Sequence, residues 1–298
     1  MAQQTTNPNK GQREPHRVMG AEAPLFTVIV PVYNSASTLQ RCLDSVLQQT
    51  LTNYELIVQD GGSTDGGVAI LQANQDIDQW VSEPDEGIYD AFNKGIKKAR
   101  GDWIYFLGAD DYLWDRHVLA RMAPHLQCAY PPYRIVYARE AFVSQQGEIL
   151  EYLGEPWKRF RRRFLGGMMI PHQATMHHRS LFDVHGLFNS SFRIGGDYEL
   201  LLRELKDHDP LFVPDIVVAG YQFGGGSSDP ENSIKVLRVV RLAQRLNGVR
   251  FPGWFWIGSV VRVYLRLALW RAIGPANAKR VLDWGRSILG KAPFWTRT

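Results

Sequence analysis

The sequence predicts an α/β protein, with a mostly parallel central sheet flanked by helices on both faces and a helical extension after it. Three observations carry this reading. Strand-like and helix-like segments alternate four times within residues 26–107, the signature of parallel strands joined by helical crossovers. The 298 residues are 45% hydrophobic and 21% charged, globular values that exclude a disordered or collagen-like chain. Two cysteines, Cys42 and Cys128, exclude a disulfide scaffold and a Cys-based zinc cluster, and suggest a reducing compartment.

The elements follow in order. Phe26–Val32 is a β-branched apolar run closed by Tyr33-Asn34-Ser35, hence strand and turn. Thr38–Gln49 spaces Leu39, Cys42, Leu43, Val46 and Leu47 as a helix does. Tyr54–Gln59 is the second strand; the turn cluster Asp60 to Gly66 leads into a helix over Val68–Asn74. Gln79–Val81 is a short third strand, and Gly87–Ala99 a helix with Ile88, Ala91, Phe92, Gly95, Ile96 and Ala99 on one face. Trp103–Leu107 is the fourth strand, ending at Gly108-Ala109-Asp110-Asp111. Beyond residue 130 the pattern loosens: strands at Arg134–Tyr137 and Ile149–Leu153, a helix at Asp197–Leu205, and helical segments at 235–246 and 254–273 outside the sheet.

Charge divides the chain. Residues 1–225 carry 21 basic against 27 acidic side chains, whereas 226–298 carry 13 against 3. Residues 1–24 are polar, lack an apolar stretch of signal-peptide length, and read as a mobile N-terminal tail. No run reaches the ~18 apolar residues of a membrane-spanning helix, so the expected location is cytoplasmic. The stretch 254–273 mixes tryptophans with Arg262, Arg266 and Arg271, as interfacial helices do, although Arg271 falls nearly opposite the other two. It either packs on the body or touches an anionic membrane surface, placing the protein peripherally on the inner face of the cytoplasmic membrane. The cluster Lys158 to Arg163 reads first as a solvated face, with contact to phosphate or anionic lipid as its functional alternative. Of the histidines, His177 and His178 read as surface residues.

In open α/β sheets ligands bind beyond the carboxyl ends of the strands. Here those ends carry Asp60, Glu83, Asp85, Asp110 and Asp111. Such an edge repels phosphate, and no Gly-rich phosphate loop of the GxGxxG or GxxxxGK[ST] kind is present. A divalent cation, Mn²⁺ or Mg²⁺, resolves the conflict by taking carboxylate oxygens on one side and phosphate oxygens on the other. The edge therefore predicts a metal-bridged nucleotide diphosphate. Asp197 follows two glycines and opens a helix; from the residues alone it is equally a helix N-cap or a base that takes a proton from an attacking hydroxyl.

Pro31-Val32-Tyr33-Asn34, Asp60-Gly61-Gly62-Ser63-Thr64-Asp65-Gly66 and Asp110-Asp111 resemble the signature of family 2 glycosyltransferases with the GT-A fold. Asp85 to Gly95 is similar to a segment of their bacterial branch that builds polysaccharides and glycolipids. His172-Gln173-Ala174, Gly195-Gly196-Asp197-Tyr198-Glu199-Leu200 and Gly225-Gly226-Ser227 follow in the expected order. The resemblance covers residues 25–228 and makes 229–298 a basic helical extension. It implies that Pro31, Tyr33, Asp60, Asp85 and Asp110 bind the nucleotide, that Asp110 and Asp111 form the metal motif, and that Asp197 is the catalytic base. It also implies that His172 and Gln173 meet the acceptor. Gly108 departs from the Asp or Asn of many relatives, leaving open which of Asp110 and Asp111 ligates metal. The implied activity is metal-dependent, inverting transfer of a sugar from a nucleotide-diphosphate sugar to a hydroxyl of a saccharide, lipid-linked in the favoured reading.

Two alternatives stand beside it: a sugar nucleotidyltransferase, and a non-catalytic nucleotide-binding or membrane-adaptor protein on a transferase-like body. Nucleic acid is not an expected partner, because the acidic strand edge repels a phosphate backbone.

Overall fold

A computed structural model describes residues 23–144, 147–222 and 230–297. The expected N-terminal tail up to residue 22, the Gly225-Gly226-Ser227 run and the boundary at residue 228 lie outside the described residues.

Strand β1 (Phe26–Val32) lies between β2 (Tyr54–Asp60) and β4 (Trp103–Phe106), and β3 (Gln79–Ser82) pairs with β2; all three pairings are parallel. Their crossovers are helices α1 (Ala36–Leu47), α2 (Gly67–Ala73) and α3 (Ile88–Lys98). Alternation along the central strands divides the core. Val28, Val30, Leu56 and Val58 join Leu39, Leu43 and Val46 of α1 on one face; Ile29, Ile57, Ile104 and Phe106 join Phe92 of α3 on the other. Each such side chain, wholly withdrawn from water, contributes about 1.5–3 kcal/mol. The α3 face differs from its expected composition: Ile88 is exposed and Tyr89 is buried. The helix starts at Ile88, so its first turn opens onto the strand ends while the next residue turns inward.

Beyond β4 the sheet becomes mixed. In chain order come β5 (Tyr112–Leu113), α4 (Val118–Ala129), β6 (Ile135–Val143), β7 (Ile149–Leu153), α5 (Trp157–Phe164), a 3-10 turn at His172–Ala174, β8 (Thr175–His178), α6 (Ser180–His185), α7 (Gly196–Leu205) and β9 (Leu211–Gln222). Among the described residues the sheet has nine strands in the order β3-β2-β1-β4-β8-β6-β9-β5, with β7 paired to β6. Thus β6 is longer than the stretch 134–137, and β9 is a full central strand despite Pro214. His177 is wholly buried rather than at the surface, because β8 lies between β4 and β6; its ring meets Phe106 and Phe182. His178 is half-buried, stacked on Tyr130.

Two helices follow the sheet, α8 (Pro230–Leu246) and α9 (Gly253–Ile288), the latter interrupted at Gly274 by a non-helical φ of 76°. That break falls one residue beyond the stretch 254–273. A C-terminal strap then folds back: Asp283 accepts hydrogen bonds from the Phe294, Trp295 and Thr296 N–H groups and the Thr296 hydroxyl. Arg297 pairs with Glu148 at 3.0 Å and Arg286 with Glu151 at 3.7 Å, tying strap and helix to the β6–β7 hairpin. No helix among the described residues is long and apolar enough to cross a membrane.

Candidate active site

The register of the parallel strands, Val32 opposite Asp60 and Asp60 opposite Ser82, brings the first three strand ends side by side. The loops after β1 and β2 are laced together. Asn34, at φ 48°, accepts a bond from the Thr64 N–H at 2.9 Å and donates its own N–H to the Ser63 hydroxyl at 2.8 Å. Asp65 accepts from the Ala36 and Gly67 N–H groups, and these bonds hold its carboxyl below the usual range. Asp60 organises the turn: Oδ2 takes the Gly62 and Ser63 N–H groups and the Ser82 hydroxyl, while Oδ1 takes the Ser63 hydroxyl. That leaves lone-pair capacity on Oδ1 for one further donor.

The other expected donor-side residues lie around this edge. Pro31 is buried in β1, two residues past the last β4 partner of that strand, so its missing N–H costs no ladder bond there. Tyr33 is exposed. Asp85 accepts the Gly87 N–H at 2.8 Å and rests on Gly61, where a Cβ would stand 2.5 Å from its Oδ2. Glu83 is neutralised by Lys94 at 3.2 Å. The acidic edge is therefore less uniform than its sequence implies, and Asp110 is its exposed carboxylate beside the buried Asp111.

On the opposite side, α7 presents Asp197 from its first turn, with Gly195 in the N-cap place. The N-cap reading of Asp197 is thereby removed. The Tyr89 hydroxyl donates to Asp197 Oδ1 at 3.2 Å, and a Cβ on Gly196 would stand 2.9 Å from the Tyr89 ring. Asp197 and Tyr89 share a pocket of about 160 Å³ with Ile88, Phe92, Phe106, Gly108, His172 and Gln173. A larger hollow of about 410 Å³ lies between α1 and the segment after β5; it contains Arg41 and Asp115 but none of the expected site residues.

The family model of glycosyl transferase family 2 matches residues 27–182. The chain is 33% identical over 260 residues to a PGL/p-HBAD biosynthesis glycosyltransferase of Mycobacterium bovis BCG, covering 84% of this chain and 98% of that one. This chain belongs to glycosyltransferase family 2. It is also 30% identical over 186 residues to Escherichia coli chondroitin synthase, 60% of this chain and 26% of that protein. Among solved structures, a Pyrobaculum calidifontis mannosyltransferase in complex with GDP-Man and Mn²⁺ matches with a TM-score of 0.56 at 18% identity, covering 93% of this chain and 83% of that one. Staphylococcus aureus TarS 1–349 in complex with UDP-GlcNAc matches with a TM-score of 0.57 at 19% identity, over 73% of this chain and 66% of the TarS fragment. The fold of this glycosyltransferase is GT-A.

In the glycosyltransferase, the Asp110-Asp111 pair expected to hold metal leaves an open cradle. Asp110 Oδ1 and Asp111 Oδ2 lie 2.8 and 2.7 Å from the point where Gly108 lacks a Cβ. Two converging carboxylate oxygens suit a hard divalent cation. No cluster of three or more His, Cys, Asp or Glu able to hold a metal occurs among the described residues. Burial, then the neighbouring Asp110 charge, pushes the Asp111 carboxyl well up; the Gln222 N–H, donating at 3.1 Å, and the Gln173 side chain oppose this. A cation would remove that penalty by supplying the missing opposite charge.

His172 stacks on Phe106 with ring centroids 5.8 Å apart, and its buried Nε2 has no partner. Burial drives its basicity down, against the pull of Asp197. His177 behind it falls to about 3, through burial and then the neighbouring His172. Both rings are therefore neutral near pH 7. Sequence reasoning assigned no role to Tyr89, although it lies inside the quoted Asp85–Gly95 segment. It also missed Arg41, which donates to the Asp110 carbonyl at 2.7 Å and to Gln222, and lies over the Tyr112 ring at 4.7 Å. No motif marks Arg41; its partners are 69 and 181 residues away.

Proposed function

We propose that this glycosyltransferase is metal-dependent and inverting, and that it moves a sugar from a nucleotide-diphosphate sugar to a hydroxyl of a saccharide or glycolipid, with a lipid-linked acceptor at the cytoplasmic membrane face. The observation that carries this is the shared pocket: Asp197, His172 and Gln173 line it together with Gly108, and the Asp110 and Asp111 carboxylates converge where Gly108 lacks a Cβ. To the donor we assign Asp60, Asp85, Pro31 and Tyr33, at or just beyond the neighbouring strand ends.

Asp197, held by the Tyr89 hydroxyl, takes the proton from the acceptor hydroxyl as it attacks the anomeric carbon. One base suffices, because the departing nucleoside diphosphate needs charge neutralisation rather than a second carboxylic acid. A Mn²⁺ or Mg²⁺ ion at Asp110 and Asp111 supplies that neutralisation as a Lewis acid when bound. His172, whose basicity burial lowers, lines the pocket beside Gln173 and leaves the proton to Asp197. The mycobacterial relative named for glycolipid biosynthesis and the neighbours crystallised with UDP-GlcNAc and GDP-Man support this substrate class.

The test is a thermal-shift screen of nucleotide sugars with and without Mn²⁺. A selective, metal-dependent rise is expected, since a ligand bound at 100 times its Kd stabilises by about 2.7 kcal/mol. Asp110→Asn should remove the metal-dependent part. The absence of metal-dependent binding to any nucleoside diphosphate would overturn the proposal.

A further inference from the structure

Two basic features that are 91 residues apart in the sequence meet in the fold. In α5, Lys158, Arg159, Arg161, Arg162 and Arg163 are exposed around the buried anchors Trp157 and Phe164. Arg159 pairs with Glu155 and Arg161 with Asp209; Lys158, Arg162 and Arg163 have no acidic partner among the described residues. The helix abuts α9: the Arg163 guanidinium lies 5.9 Å from the Phe255 ring, and Arg262 lies 5.4 Å from the same ring. A Cβ on Gly166 would stand 2.9 Å from Phe255.

The first half of α9 has two distinct faces. Arg266 turns inward, where it donates to the Ser233 hydroxyl of α8 and lies 5.1 Å from the Trp295 ring of the strap. Outward, Trp254, Val261, Tyr264 and Leu265 are 79, 52, 54 and 66% exposed. At about 100° per residue these four fall within an arc of about 100°. Arg262 borders it on the α5 side and Arg271 on the other. The uneven arginine spacing is resolved, because Arg266 belongs to the packed face. Residues 232–282 contain no Asp or Glu at all.

We propose that this surface seats the protein on an anionic phospholipid bilayer. The Trp254–Leu265 stripe would enter the headgroup–acyl boundary, and Arg262, Arg271 and the α5 cations would contact lipid phosphates. Charge complementarity selects this occupant. The apolar stripe is rimmed by arginine on a stretch of chain that contains no Asp or Glu, which suits a hydrocarbon boundary under negative headgroups. The position fits the chemistry proposed above and deepens that reading, since it names the side from which a lipid-linked acceptor arrives. Asp197 opens α7, Gly195 before it packs on Val239 of α8, and α8 holds α9 through Trp256 Nε1 donating to the Leu237 carbonyl at 3.1 Å.

Flotation of the full chain with vesicles of pure phosphatidylcholine, and with vesicles containing 30% phosphatidylglycerol (roughly the anionic content that gives a strong surface potential), tests this. Binding is expected with the anionic vesicles, weakening with salt. Arg162→Gln with Arg163→Gln should weaken it about 30-fold, at about 1 kcal/mol per cation near the surface. Val261→Glu with Leu265→Glu should abolish it. Both pairs are exposed, and unchanged melting and nucleotide-sugar binding will establish that the fold and the donor site are intact. Equal binding to both vesicle types, or binding unaffected by Val261→Glu with Leu265→Glu, overturns the proposal. So does a wild-type dimer that ignores vesicles and that the same pair makes monomeric. Because donor binding is read separately, failure of docking leaves the transferase reading standing, and failure of donor binding leaves docking standing.

Discussion

The candidate base is set by a contact across the fold. Tyr89 belongs to α3 and Asp197 to α7, 108 residues apart, yet the tyrosine hydroxyl donates to the carboxylate at 3.2 Å. Burial, then the Asp197 charge, pushes the Tyr89 phenol well up, so it stays a donor. Tyr89→Phe keeps the ring and removes the bond. A hydrogen bond worth about 0.5–1.5 kcal/mol translates into a roughly 2- to 13-fold lower kcat, with donor affinity unchanged in a binding titration. Gly196→Ala should produce a similar loss by forcing the ring aside, since the new methyl would meet it at 2.9 Å. The Asp85–Gly95 and Gly195–Leu200 segments were both visible in the sequence. Their meeting was not, because no local pattern records a contact at that separation.

At the scale of elements, the C-terminal strap depends on a single carboxylate. Asp283 takes three backbone N–H groups and one hydroxyl, and these bonds lower its carboxyl from 3.8 to about 2 despite opposing desolvation. A depressed acid stabilises the folded state above its unfolded value and loses that contribution as pH falls towards the folded one. The strap should therefore be secure above about pH 4 and loosen between about pH 4 and 2. Hydrogen exchange at residues 291–297 reads this. Asp283→Asn should show at pH 7 the low protection factor that the wild type shows near pH 2, and equal protection of the two at pH 7 would count against the role. The legibility of elements varies for physical reasons. β1 and β2 are β-branched runs closed by turn residues and fall where the sequence puts them. β8, Thr-Met-His-His, has neither alternation nor branching beyond Thr175, and β9 carries Pro214 and Asp215 within its span; both are held by sheet neighbours rather than by local preference. α5 read as a solvated charge cluster because only Phe160 interrupts its cations, while the buried anchors Trp157 and Phe164 lie at its two ends.

For the molecule as a whole, the alternation of strand and helix up to residue 107 determined half of the sheet, and the ordered motifs pointed to the GT-A family before any coordinates. The partition of charge was also legible, but its meaning changes in three dimensions. The acidic edge is mostly self-satisfied, with Asp60 organising a turn and Glu83 paired to Lys94, which leaves Asp110 exposed beside the Gly108 cradle. The basic tail is both packed and exposed, through opposite faces of one helix. The account rests on Asp197 acting as base within a donor site assembled independently of it. The direct measurement compares wild type with Asp197→Asn for metal-dependent donor affinity and for the rate of transfer from the donor that the screen selects. The account predicts a rate loss of about 10²–10⁴-fold, the usual contribution of a positioned base, with donor affinity preserved. A variant that transfers sugar at the wild-type rate while binding the donor normally would contradict it.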